Sequence, residues 1–162
     1  MERGIFMRTS AKVRCFCVFL ILGALLMPLG WAQGRGASME RGLFEAVNRE
    51  RHQQGLPALK WDDALAGAAR KHAQQMAQQN TLSHQFPGEL SLPARVSQAG
   101  VRHSWLSENI AQGASANDLH EQFMKSTNHR ANILDSDMDT VGIGAVEEGG
   151  KWFVVEDFCK AK

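Results

Sequence analysis

The chain has 162 residues, 44% hydrophobic and 22% charged, with a formal net charge of +1. That length supports one domain with its own core, and a balance this close to neutral excludes the strongly basic footprint of a nucleic-acid binder. Three cysteines are too few for a disulfide-dense scaffold.

Arg3, Arg8, Lys12 and Arg14 precede an almost wholly apolar run from Cys15 to Met27. Pro28 breaks that run, and Gly30-Trp31-Ala32 sets small residues two apart. This order predicts a secretory signal peptide over residues 1–32, cleaved after Ala32. The run is short for a membrane span, which needs about 20 residues, and an uncleaved anchor is the competing reading. The expected location is outside the cell or in a periplasm, with no span left after cleavage. Removing four Lys/Arg and one Glu from totals of 18 and 17 leaves 14 and 16, a net of −2. Cys15 and Cys17 leave with the signal, so Cys159 stands alone in the mature chain. A single thiol gives no intrachain disulfide and only weak reason to expect a dimer, so a monomer is predicted.

The Gly-bearing stretch 33–38 reads as a flexible lead, and 39–162 as a single domain. Met39 to Gln54 has helical spacing in Leu43, Phe44, Val47 and Arg51, the last covering an edge with its aliphatic stem. Gly55 can supply a left-handed stop, and Pro57 prevents continuation. Asp62 to Gln79 is a second helix, capped by Asp62 or Asp63. Leu65, Ala68, Ala69, His72 and Met76 share one face, and Asn80 ends it. Thr81 to Leu90 is a loop carrying His84. Ser91 to Ala99 is a short helix with Pro93 in its first turn. Val101 to Gly113 reads as irregular and carries Glu108. Asn117 to Lys125 is a helix, with Ser115 and Asp118 spaced as a capping box. The period then changes. Val141, Ile143 and Ala145 alternate, Gly149-Gly150 turns, and Trp152-Phe153-Val154-Val155 is dense in strand formers, which predicts a hairpin. Gly142 and Gly144 on one strand face predict the close approach of something bulky. Helices followed by antiparallel strands give an α+β layered domain.

Five ordered stretches then resemble the CAP superfamily of cysteine-rich secretory, antigen-five and pathogenesis-related proteins, in its short, disulfide-free bacterial form. They are Val47-Asn48-Arg49-Glu50-Arg51 with Gly55-Leu56-Pro57; Leu59-Lys60-Trp61 with Leu65-Ala66; Ser83-His84; Glu108-Asn109-Ile110-Ala111; and Ser126-Thr127-Asn128-His129-Arg130-Ala131-Asn132-Ile133-Leu134. Val141-Gly142-Ile143-Gly144, Trp152 and Asp157-Phe158 fit as well. The resemblance implies an α-β-α sandwich with a small antiparallel sheet between helices. It also implies a cleft of two histidines and two acids. His84, Glu108 and His129 match three of these positions. The fourth falls at Ser126, where no acid stands. Glu121 lies five residues before it, about 140° round a helix, and does not substitute.

Each of these groups also has a plainer use. His84 can brace a loop, and His129, placed just past a helix, can bond its last carbonyls. Glu108 can accept backbone N–H bonds in its own loop. His72 reads as a packed core residue, and Asn109, Arg130 and Asn132 as braces for loop carbonyls. Two imidazoles and one carboxylate suffice for Zn²⁺ with open positions. There is no His-Glu-x-x-His pair and no Gly-x-Ser-x-Gly elbow. The preferred expectation is therefore a secreted, non-enzymatic binding module. Its cleft of His84, Glu108, Ser126 and His129 would take an apolar, sterol or lipid, or cell-envelope ligand, with a divalent metal optional. One rival is a zinc-assisted hydrolase of peptides or envelope polymers, with Glu108 as ligand or general base. The other is a structural or adhesive envelope protein.

Overall fold

In the computed structural model, the backbone is described for residues 29–162 and side chains from Gly34 onward. The positive start and the apolar run predicted as a signal peptide lie outside the described residues, apart from the helical backbone of residues 29–32.

Helix α1 spans Leu29–Gln53, so the stretch predicted to be a flexible lead is helical instead. Tertiary contacts hold that stretch: Arg35 pairs with Glu147 at 2.9 Å and lies over the Trp152 ring. A short strand β1 (Lys60–Trp61) follows, and then α2 (Asp63–Gln79). Asp62 caps α2 by accepting from Leu65 N–H, and Asn80 closes it in the left-handed conformation at φ 47°. The remaining elements are α3 (Leu92–Gln98), β2 (His103–Gly113), α4 (Ala116–Lys125), α5 (Thr127–Ile133), β3 (Thr140–Glu148) and β4 (Lys151–Ala161). Ser115 caps α4 through its hydroxyl as expected, while Asp118 accepts from Ala114 N–H.

The sheet runs β1-β3-β4-β2, with β1 parallel to β3 and the other pairs antiparallel. Alternation gives each face its own core. Leu43, Val47, Leu119, Phe123 and Ile133 from α1, α4 and α5 pack on Val141, Ile143, Val154 and Phe158. Ala69, Ala73 and Met76 from α2 pack on Ile110, Phe153 and Val155. The result is the helix–sheet–helix sandwich that patterning on both faces requires. Gly142 and Gly144 let α2 lie directly on β3. A Cβ on Gly142 would fall 2.2 Å from Ala66 N, and one on Gly144 2.2 Å from Arg70 N.

Arg51 is fully buried rather than capping an edge with its stem. Its guanidinium donates to the carbonyls of Pro57, Ile133, Asp135 and Met138 at 2.8–3.2 Å. It therefore fastens the end of α1 to the end of α5 and to the turn before β3. Asn48 pins β1 in the same manner, exchanging two hydrogen bonds with the Leu59 backbone. These ties fix α5 relative to the sheet, which sets the position of the site.

Candidate functional site

Strand β2 lies at the sheet edge, beside β4 alone. The region predicted to be irregular is therefore a long strand, in which Trp105 to Gly113 pair with Lys160 to Trp152. Alternation sends Glu108 to the α2/α3 face and Asn109 to the α5 face. Two clusters thus meet around one strand edge.

On the first face, Glu108 is buried and both of its oxygens are occupied. Oε1 accepts from His84 Nδ1 at 2.7 Å, and Oε2 accepts from the Arg95 guanidinium. Arg95 also donates to the His84 carbonyl at 3.1 Å, which sets the loop that carries the imidazole. Behind it, the fully buried His72 bonds Glu89 through Nδ1 at 2.7 Å and the Ser83 carbonyl through Nε2 at 2.8 Å. His72 is a core residue, as predicted, and it also buttresses the site. Asp157 sits opposite Glu108 in the ladder, fully buried, and neither of its oxygens has a hydrogen-bond donor among the described residues.

On the second face, Asn109 donates to the His129 carbonyl at 3.2 Å and to Glu156 Oε2 at 3.1 Å. Asn132 donates to Asn109 Oδ1 at 2.8 Å and to the Glu108 carbonyl at 3.4 Å. Asn109 and Asn132 are braces as predicted, and they tie α5 to the strand at Glu108. His129 is not past a helix but within α5, because Ser126 restarts the chain as a helix. The Ser126 backbone ends α4, and its hydroxyl accepts from His129 N–H at 3.5 Å. Its side chain therefore caps a helix. Glu121 is exposed and pairs with Lys125, so no acid fills the fourth position. The His129 ring stands edge-on to Phe123 at 5.3 Å.

The two imidazoles are displaced in opposite directions. The hydrogen bond that His84 donates to Glu108 raises the His84 pKa, against partial burial. Burial lowers that of His129, and the positive charge of His84 lowers it further. Beneath them, burial and the charge of Glu108 push Asp157 well above the usual carboxylate range. Burial raises Glu156 to about 8, so it is a neutral acid at pH 7.

Zinc needs three protein donors left free to converge on it. Among the described residues no three His, Cys, Asp or Glu side chains are so arranged. Both Glu108 oxygens are already engaged, which leaves His84 and His129 as the available donors. The residues present do not fit the expected zinc centre. Arg95, Glu89, Asp157 and Glu156 had no place in the expected site. Arg95 and Glu89 carry no sequence signal of their role. Glu156 and Asp157 do, since two acids inside a run as apolar as Trp152 to Phe158 must either face water or find buried company.

Residues 44–158 match the family described as the cysteine-rich secretory protein family, CAP. The uncharacterized Bacillus subtilis protein YkwD is 33% identical over 117 residues, covering 72% of this chain and 46% of that protein. An extracellular protein containing an SCP domain from Bacillus anthracis superposes with a TM-score of 0.77 at 24% identity, covering 83% of this chain and 44% of that one. An outer surface protein from Borrelia burgdorferi superposes with a TM-score of 0.72 at 20% identity, covering 77% of this chain and 94% of that one. The chain thus spans less than half of the first two proteins. With the ordered motifs, the sandwich and a family match over most of its length in agreement, this chain belongs to the cysteine-rich secretory protein (CAP) family.

Proposed function

We propose that this chain is exported and acts as a binding module for a component of the cell envelope, held in the cleft at the edge of β2. The observation that supports this reading is the state of Glu108. His84 and Arg95 take its two oxygens, so no free carboxylate faces the cleft to ligate a metal or to abstract a proton. A ligand would instead meet the outer nitrogen of His84, whose side chain is 62% exposed, and the ring of His129. Trp105 lies three residues along the same strand and is 59% exposed. An exposed indole on the strand that also carries the Glu108–His84 pair offers a stacking surface as well as a hydrogen-bonding imidazole, which suits a sugar–peptide polymer better than a purely apolar ligand.

The test is co-sedimentation with purified peptidoglycan, run beside vesicles made from extracted envelope lipid. Polymer binding should weaken about tenfold in His84→Ala and in Trp105→Ala. Partition into the vesicles alone would move the ligand to the lipid class. Wild-type binding by both variants would overturn the reading and leave the cleft as a brace for the fold.

One observation favours a hydrolase as the second reading. His84 presents an exposed imidazole whose Nδ1 is bonded to the buried Glu108, and a histidine held by a carboxylate in this way can take up or pass on a proton. Incubation with casein and with peptidoglycan separates the two. Turnover that is lost in both His84→Ala and His129→Ala would establish catalysis.

A further inference from the structure

The sheet has two edges, and they are built differently. β1 closes one side with two residues, whereas β2 runs for 11 residues along the other. A long edge strand presents a row of backbone donors and acceptors, and proteins usually blunt it with Pro, Lys or a bulge. His103 to Gly113 contains neither Pro nor Lys, and its register shift lies at one end, between His103 and Trp105.

The ladder fixes which groups face outward. The Val141 carbonyl accepts from Asp62 N–H, so the Val141 backbone faces β1, and its partner across the ladder, Phe158, faces β2. Glu156 and Phe158 therefore bond Asn109 and Ser107, and the N–H and C=O groups of Leu106, Glu108, Ile110 and Gln112 point away from the sheet. The Glu108 carbonyl agrees with this, since it accepts from the Asn132 side chain at 3.4 Å. Among the described residues, the other outward groups of these four residues have no hydrogen-bond partner. Backbone groups without a protein partner face water or a ligand. The edge is also a slot. His84 stands on one side of it through its bond to Glu108, and α5 stands on the other through Asn132. Farther along, Trp105 presents an exposed indole on the same face as Ser107 and Asn109.

We propose that the free edge of β2 takes an extended peptide segment as an added strand of the sheet. The inference rests on the reading above only for the place of the ligand, and it names the part of the ligand that the strand itself would hold. An extended chain repeats a donor and an acceptor every two residues, about 6.6–6.8 Å, which is the spacing of the free groups from Leu106 to Gln112. A lipid tail has neither group. The slot also disfavours a second copy of this chain, whose own β2 carries the same loop and helix on its two faces. Main-chain bonds would supply affinity, and an apolar side chain of the segment would lie on Trp105.

The experiment is an NMR titration of the ¹⁵N-labelled protein, with amide hydrogen exchange, using the probe acetyl-Thr-Val-Thr-Val-Thr-Val-amide. The same peptide N-methylated throughout is the comparison. In the free protein the amides of Ser107, Asn109 and Ala111 should be protected, and those of Leu106, Ile110 and Gln112 should exchange fast. The probe should bind with Kd of about 1 mM or tighter and slow exchange at the latter three about tenfold. The methylated peptide, lacking donors, should not bind. Gln112→Pro is tolerable on an edge strand whose N–H points outward, and it should weaken the probe about fivefold or more. Gln112→Thr keeps that donor and should leave Kd within about twofold. No saturation by about 20 mM would overturn the proposal, as would equal binding of the methylated peptide or an unchanged Kd in Gln112→Pro. Edge amides already protected in a free protein that sediments as a dimer would give the edge to a second copy, and would overturn it as well. Peptidoglycan co-sedimentation is read separately. Polymer binding without probe binding overturns this inference alone, and probe binding without polymer binding overturns the polymer reading alone.

Discussion

Replacing Arg95 with methionine keeps much of the side-chain volume and removes the one guanidinium that serves the buried acids beneath His84. In the native protein that group bonds Glu108 Oε2, approaches Glu89 Oε1 at 3.6 Å, and holds the loop through the His84 and Leu90 carbonyls. Glu108 and Glu89 have side chains only 3% and 6% exposed, so little water can replace it. Breaking a buried ion pair from one side typically costs about 3–5 kcal/mol, because the remaining charge stays desolvated. That cost should depend on pH. A carboxylate stripped of its cation has a folded-state pKa above its unfolded value, so the folded variant is favoured at low pH and loses stability as pH rises. Urea unfolding should therefore show a larger loss at pH 8 than at pH 5. Loss of Arg95 also removes a charge that opposes protonation of His84, so the His84 pKa should rise further, as read by NMR titration. A loss below about 1 kcal/mol at pH 8, or an equal loss at both pH values, would refute the claim that this guanidinium neutralises the buried cluster.

Other substitutions probe the rest of the site and its scaffold. In Glu108→Gln the His84 pKa should fall, because its main cause is the bond to the carboxylate. In the native chain the stability from that bond is present below the unfolded histidine value and is lost as pH rises through the folded one; a native stability–pH curve superposing on that of Glu108→Gln would contradict this. Glu156→Gln should leave stability nearly unchanged near pH 4. It should abolish the decline that the native chain suffers between pH 4.5 and 8, where only the unfolded state has ionised this group, and parallel stability–pH curves would exclude a buried neutral acid. Gly144→Ala would set a methyl 2.2 Å from the Arg70 amide nitrogen, forcing α2 off the sheet, with about 1–3 kcal/mol lost in chemical denaturation. Arg51→Lys keeps the charge but cannot reach four carbonyls at once. A drop in Tm of about 10 °C or more is expected, and one within about 2 °C would refute its role as a clamp.

Much of the fold was legible along the chain, because period, caps and turns are local quantities. The face of α2, the Asn80 stop, the Ser115 cap and the Gly149-Gly150 hairpin all follow from neighbours a few residues apart. Gly142 and Gly144 announced a close approach, and the occupant proved to be the backbone of α2. Strand β2 was hidden, since Ser107, Glu108 and Asn109 resemble loop residues until β4 supplies partners for their backbones. Helix α5 was hidden because Ser126 ends one helix and begins the next, and the helix is only seven residues long.

The candidate site divides in the same way. The sequence by itself picked out His84, Glu108 and His129 as the candidate groups, because they stand in ordered motifs that resemble those of the family. Only the tertiary structure decided what state those groups are in. Arg95 arrives from α3 to occupy Glu108, Asp157 arrives from β4 to face it, and Asn109 and Asn132 bring α5 against the strand edge. Burial and charge at such a meeting point are sums over segments far apart along the chain, so no local pattern encodes them.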